Sequence, residues 1–295
     1  MSTPYISVVV PTYNRAHLIE RSIQSILQQT YTDYEVLVVD DGSEDNTEQV
    51  IKSINDQRIT YYKKANGERA AARNYGTSKA KGVYVTFFDS DDLMYPHHLQ
   101  HAYDFIYQQN NPEWFHLGFD YKNSSGMVFR NAEPLHENIQ RSLLFDNKLS
   151  CNGVFIKRVI AEQYPFHEDR ALASSEDWEL WIRLICSFPL KFSTEVTTSV
   201  VEHDLRSLNT VKPETIERRD IVLIHQLQSN AEVQKIYEGD FLRFKAERYT
   251  FFMMKYAEAK RPDKVMTWAC EAALTYFPVI FTRRFLASLK NSIIR

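Results

Sequence analysis

With 295 residues and 44% hydrophobic content, the chain can bury a large core, either as one big domain or as a domain with an appendage. Its net charge of −3 argues against a nucleic-acid partner, which would favour a strongly basic face. No apolar run approaches the roughly 20 residues that span a bilayer, and the three cysteines, Cys151, Cys186 and Cys270, lack metal-ligand spacing and read as core residues in a reducing cytoplasm.

In chain order, Ile6-Ser7-Val8-Val9-Val10 reads as a buried strand that ends at Pro11-Thr12-Tyr13-Asn14-Arg15. It starts so soon after Pro4 that no signal peptide is expected, and the odd number of cysteines fits the expectation of a cytoplasmic protein. Ile19, Ile23, Ile26 and Leu27 then fall at helical spacing. A second apolar run, Glu35-Val36-Leu37-Val38-Val39, stops at Asp40-Asp41-Gly42-Ser43. Asp41-Gly42 is a good turn, and Ser43 a good N-cap for the helix containing Val50, Ile51 and Ile54. That turn reading leaves Asp40 and Asp41 as adjacent acids that repel one another. The segment Asn66 to Gly76 suggests a helical turn with Arg69 and Arg73 on one side, suited to phosphate or simply to a solvated face.

The third strand, Val83-Tyr84-Val85-Thr86-Phe87-Phe88, ends abruptly in Asp89-Ser90-Asp91-Asp92, three carboxylates within four residues. Such a strand end offers oxygen ligands to a hard divalent cation, where ligands of open α/β sheets bind. The alternative is that Ser90 or Asp92 caps a following helix. Strands and helices alternate through the first ninety residues, which calls for a parallel sheet with right-handed crossovers. Further on, Trp178, Trp181, Ile182 and Ile185 mark an amphipathic helix for which Asp177 is a candidate cap, and Lys212-Pro213-Glu214 reads as a linker to several amphipathic helices.

The motifs Pro11 to Arg15, Val38 to Ser43, Asn66-Gly67 with Ala72 to Gly76, Phe88 to Asp92, and Ser175 to Leu184 preceded by Phe166-His167-Glu168 resemble, in order and spacing, those of glycosyltransferase family 2. The resemblance covers about residues 4 to 210. It implies an α/β fold of the GT-A type, a Rossmann-like, mainly parallel central sheet flanked by helices, with a C-terminal helical extension. Three regions are expected: 1–95 as the nucleotide-sugar-binding half, 96–209 as the acceptor-binding and catalytic half, and 210–295 as the extension.

The implied activity is metal-dependent, inverting transfer of a sugar from a nucleotide-sugar, with UDP favoured, to a hydroxyl of a glycan or lipid-linked saccharide in surface polysaccharide synthesis. By the resemblance, Asp40 with Asp41 beside it accepts hydrogen bonds from the uracil or ribose. Pro11, Thr12, Tyr13 and Arg15 line the base pocket, and Asn66, Arg73, Asp89 and Ser90 complete the donor site, with Arg73 near the sugar or diphosphate and Asp89 at the ribose or donor sugar. Mn²⁺ or Mg²⁺ is expected on Asp91, with Asp89 or Asp92 assisting and His203 as a further ligand; Arg206 is the alternative diphosphate partner to His203. Without a cation the acids would repel a diphosphate by roughly 1 to 4 kcal/mol per charge pair. Asp177 is the expected general base and Glu176 its acceptor-orienting neighbour. A sugar-1-phosphate nucleotidyltransferase would want a Gly-rich, Arg-containing loop after the first strand, where this chain has Pro11 to Arg15. A non-catalytic carbohydrate-binding protein would have no need of the acidic strand ends together with Asp177.

In the tail, Phe281, Phe285, Leu286, Leu289 and Ile293 gather on one helical face, with Arg283, Arg284, Lys290 and Arg295 mostly off it. That pattern fits either a helix docked on the catalytic domain or one resting peripherally on an anionic membrane surface.

Overall fold

The computed structural model describes residues 3–202 and 211–293. It divides into two compact units, Met1–Ile139 with Lys148–Arg206, and Gln140–Asn147 with Ser207–Arg295.

The first unit opens with β1 (Ile6–Thr12), α1 (Ile19–Leu27), β2 (Tyr34–Asp40), α2 (Thr47–Ser53), β3 (Ile59–Lys63), α3 (Glu68–Lys79) and β4 (Tyr84–Phe87). Every residue of β1 and β4 is buried, as expected of strands covered on both faces. Strand β3 was not anticipated from the sequence: it is half-exposed, at the end of the strand order, and its Tyr-Tyr-Lys lacks a clean alternation. Ile19, Ile23 and Ile26 of α1 all pack into the core. Helix α2 is preceded by Asn46 at its N-cap, so Ser43 serves elsewhere.

Beyond β4 come β5 (Leu93–Met94), α4 (His98–Gln108), β6 (Trp114–Lys122), β7 (Val128–Asn131), α5 (Ile139–Phe145), β8 (Val154–Lys157), α6 (Arg158–Gln163), α7 (Glu176–Ser187) and β9 (Lys191–Val201). The strand order is β3-β2-β1-β4-β8-β6-β9-β5, with β7 paired to β6. β8 runs antiparallel to both β4 and β6, so β6 points the same way as β4, and β9 is parallel to β6. With β1, β2, β3 and β4 mutually parallel, six of the nine strands share one direction. The chain leaves β1 on one side for β2 and β3, and returns to β4 on the other. Such a reversal opens a crevice beyond the carboxyl ends of β1 and β4.

Helix α3 reaches that crevice because its sheet-facing side is small. A Cβ on Gly76 would lie 2.3 Å from Val9 Cγ1, so the bare helix backbone rests directly on the Val9 side chain of β1. Gly76→Ala is therefore expected to destabilise the protein by about 1–3 kcal/mol, as overpacking does. An unchanged urea midpoint would mean that α3 can slide away from β1.

In the second unit, to which α5 from Gln140 onward also belongs, α8 (Pro213–Ser229), α9 (Ala231–Glu258), α10 (Pro262–Thr275) and α11 (Arg283–Ile293) form a helical array. Pro213 is the first residue of α8 and does not sit in a linker. Helix α11 buries Phe285 and Ser288, while Leu286 and Phe281 stay exposed. The single apolar face read from the sequence is thus split.

Candidate active site

Two acidic loops meet at the crevice. At the end of β1, Pro11 and Thr12 are buried, and Tyr13 just beyond is exposed; Asp41 N donates to Thr12 O at 2.8 Å, tying the β1 and β2 ends together. Ser43 Oγ accepts from Asn14 N at 2.8 Å, and Asn14 adopts the left-handed region, φ 51°. Gly42, at φ +86°, makes the turn that lets Ser43 N donate back to Asp40 Oδ1 at 2.6 Å. Asp40 Oδ2 accepts from Tyr61 OH at 2.6 Å. Asp41 Oδ1 accepts from Lys64 Nζ at 2.8 Å and from Gly67 N at 2.9 Å, while Asn66 Nδ2 donates to Asp41 O at 3.0 Å. The repulsion expected between Asp40 and Asp41 is therefore offset: the two side chains face different donors, one of them cationic. Tyr61 and Lys64 carried no sequence signal for this, because they reach the acids only through the β2–β3 pairing.

The acids after β4 divide. Asp92 is wholly buried: Oδ1 accepts from Val201 N at 2.8 Å and Oδ2 from Asn152 Nδ2 at 2.6 Å. This differs from the sequence expectation of a cation ligand, since its carboxylate points into the fold. No helix follows directly, so the capping alternative for Ser90 and Asp92 lapses; Ser90 itself is buried. Asp89 and Asp91 keep side-chain exposures of 31% and 16%. Asp91 Oδ2 lies 3.7 Å from Arg15 Nε, joining the β1 loop to the β4 loop. Asn152 also accepts from Asp89 N at 2.9 Å, so one buried amide orients both acids. Sequence reasoning missed Asn152, which sits in a turn before β8, far along the chain.

Behind Asp89 lies Arg73, 2% exposed. Its Nη2 donates to Asp89 Oδ1 at 2.9 Å and its Nη1 to Glu176 Oε1 at 2.8 Å, while the guanidinium covers the Phe166 ring at 5.2 Å. Arg69 Nε stands 3.8 Å from the same Glu176 oxygen. The Arg73 fork is thus spent on two protein carboxylates, where the resemblance implied contact with the sugar or diphosphate. Asn74 exchanges hydrogen bonds with the backbone of Phe166, both at 2.9 Å, pinning that segment to α3.

Helix α7 begins after Ser175 at its N-cap, and Asp177 lies inside the first turn, not at the cap. Ser174 before it holds φ 75°, a strained position of the kind found at functional sites. Asp177 Oδ1 accepts from Trp178 N at 2.7 Å. Burial, reinforced by the neighbouring Glu176 carboxylate and opposed by Arg73, pushes the Asp177 carboxyl up to about 6. Cys151 is buried in the same cluster, where burial drives its thiol well above its ordinary value and leaves it unreactive. Among the described residues no three His, Cys, Asp or Glu side chains already converge as a metal cage. His203 and Arg206 fall outside the described residues.

Residues 7–155 match the family model described as glycosyl transferase family 2. An uncharacterized glycosyltransferase of Rickettsia felis is 31% identical over 208 residues, 65% of this chain, and the match spans only 33% of that protein. The Escherichia coli UDP-Glc:alpha-D-GlcNAc-diphosphoundecaprenol beta-1,3-glucosyltransferase WfgD is 29% identical over 181 residues, 61% of this chain and 69% of that one. Among solved structures, Staphylococcus aureus TarS in complex with UDP-GlcNAc superposes with a TM-score of 0.64 at 17% identity, covering 98% of this chain and 90% of that chain. The mannosyltransferase PcManGT from Pyrobaculum calidifontis, in complex with GDP-Man and Mn²⁺, gives 0.57 at 18%, covering 99% and 85%. The sheet curled between helices is the one these GT-A structures share, and the match with the family model extends over half of the sequence. This chain belongs to glycosyl transferase family 2.

Proposed function

We propose that the protein is an inverting, divalent-metal-dependent glycosyltransferase that moves a sugar from a nucleotide-sugar, UDP-linked by preference, to a hydroxyl of a glycan or lipid-linked saccharide in surface polysaccharide synthesis. The observation that carries this reading is the Arg73 bridge: one guanidinium binds Asp89 at the donor-side strand end and Glu176 beside Asp177, so the donor acids and the base share one rigid frame. The UDP preference draws on the names of two similar proteins, TarS bound to UDP-GlcNAc and WfgD as a UDP-Glc enzyme, and WfgD likewise suggests a lipid-linked acceptor. No helix among the described residues is long and apolar enough to cross a membrane, and we place the work of this enzyme in the cytoplasm, at the inner membrane face.

In the proposed step, Asp177 takes the proton of the acceptor hydroxyl as its oxygen bonds to the anomeric carbon. The bond from that carbon to the diphosphate oxygen breaks on the opposite face, and the nucleoside diphosphate leaves with the electron pair. Asp40, Asp41, Asn66, Thr12, Tyr13 and Arg15 would surround the nucleoside, with Arg15 also 3.7 Å from Asp91. The residues fit a divalent cation in the mode that uses one or two carboxylates plus substrate phosphates, with Asp91 first, Asp89 second and Asp92 as buried support. When bound, Mn²⁺ or Mg²⁺ would supply Lewis-acid charge to the departing diphosphate.

A screen of nucleotide-sugars, following nucleotide release with and without EDTA, tests the reading as a whole. Release of pyrophosphate from a nucleoside triphosphate and a sugar phosphate would instead mark a nucleotidyltransferase. Asp91→Ala is expected to abolish the Mn²⁺-dependent part of UDP binding in calorimetry while leaving the circular dichroism spectrum intact. Metal-dependent binding equal to wild type in that variant would remove Asp91 from the site.

A further inference from the structure

The second unit carries an apolar strip that the proposed chemistry does not use. On α10, Met266, Cys270 and Leu274 recur every fourth residue on one exposed face, with Met266 and Leu274 exposed by 52% and 83%. The strip continues into the turn between α10 and α11, where Phe277 and Phe281 are exposed by 62% and 73% and meet edge to face at 6.1 Å. Phe277 and Phe281 thus cover part of each other, yet both remain open to water. Leu286 then extends it onto α11, on the side opposite buried Phe285 and Ser288. Exposed apolar residues gathered this closely mark a surface that binds something.

The charges around the strip name the occupant. Arg283 and Lys290 share the exposed side of α11 with Leu286, and Arg284 is exposed next to them. Residues 272–295 contain four cations and no acid; Glu271, one turn before Leu274, is the nearest carboxylate in sequence. Bulky aromatic and aliphatic side chains flanked by cations fit the boundary between the headgroups and acyl chains of an anionic bilayer: the rings enter the boundary and the cations meet lipid phosphates. We infer that the α10–α11 corner, led by Leu274, Phe277, Phe281 and Leu286 with Arg283 and Lys290, is a peripheral docking surface for anionic lipid. Only Phe281 and Leu286 of the single helical face read from the sequence belong to it, because Phe285 of that face is consumed in packing.

Co-sedimentation of the full chain with phosphatidylglycerol–phosphatidylcholine vesicles, and with phosphatidylcholine alone, tests this without donor or acceptor, so its outcome is independent of the sugar-transfer reading. Wild type should pellet with the anionic vesicles and only weakly with neutral ones. Combined Leu274→Ser, Phe277→Ser, Phe281→Ser and Leu286→Ser should lower that partition by at least about tenfold. These side chains are exposed, so a folded variant is expected, verified by circular dichroism. A second variant, Arg283→Gln with Lys290→Gln, should weaken binding to anionic vesicles and flatten its salt dependence. Wild type recovered in the supernatant with both vesicle types would overturn the proposal. So would equal pelleting of wild type and both variants, or a concentration-dependent dimer of wild type that the serine variant loses while vesicle binding stays absent.

Discussion

Asp177→Asn is expected to lower sugar transfer by roughly 10²-fold or more while UDP binding, measured by calorimetry, stays at the wild-type level. The substitution keeps an oxygen to accept from Trp178 N and removes both the charge and the capacity to take a proton. Because the carboxyl is pushed up to about 6 by burial and by Glu176, the charged, active form is lost as pH falls through that value, so kcat/KM of wild type should decline on the acid side of about pH 6. The same shift has a stability consequence of opposite sign to that of an ordinary ion-paired carboxylate. The folded chain holds this proton more tightly than the unfolded chain, whose carboxyl keeps the usual value of 3.8, so the contribution of Asp177 to stability falls as pH rises from about 4 to about 6. Above that window the charged carboxylate costs at most about 3 kcal/mol. Asp177→Asn should therefore melt higher than wild type at pH 8 and no higher at pH 4. A variant with near wild-type transfer would move the base to Glu176, and a variant that melts lower at pH 8 would make Asp177 a structural residue.

What could be read from the sequence depended on range. The runs ending at Thr12, Asp40 and Phe87 declared themselves because buried parallel strands need uninterrupted Val, Leu, Ile and Phe, and the acids at their ends stand out against that background. Strand β3 escaped notice because a half-exposed edge strand has no such run. Within the site, the motifs located the groups but not their partners. Asp91 and Asp92 are neighbours in sequence, yet Val201 N from β9 and Asn152 from the turn before β8 hold one inward, and both arrive from far along the chain. Likewise the sequence offered Arg73 as a cation suited to phosphate or to a solvated face, and its distance in sequence from Glu176 hid the bridge. The tail shows the same limit: helical spacing grouped Phe285 with Phe281 and Leu286, and only the packing of α11 separates them.

Arg73→Met is expected to cost about 3–5 kcal/mol of stability, the largest effect on folding among these substitutions. Methionine keeps much of the arginine stem's volume and gives up the guanidinium over Phe166, so the loss is chiefly one of charge. Among the described residues, Glu176 would be left with a carboxylate 3% exposed and Arg69 Nε, at 3.8 Å, to balance it, whereas Asp89 can turn to water. The two partners should therefore respond differently in double-mutant cycles. Adding Glu176→Gln to Arg73→Met should recover much of the loss, because an unpaired amide is far cheaper to bury than an unpaired carboxylate. Adding Asp89→Asn should recover little. Additive losses with Glu176→Gln, read from urea midpoints at constant slope, would sink the account of Arg73 as the internal counter-charge of the base-bearing helix. Arg73→Lys should fall between wild type and Arg73→Met, since an ammonium can satisfy one carboxylate but does not offer the planar fork that spans both. Transfer activity in that lysine variant should drop further than its stability. The rigid link between Asp89 and Glu176 is what keeps donor and base in register, and a single point charge cannot hold both.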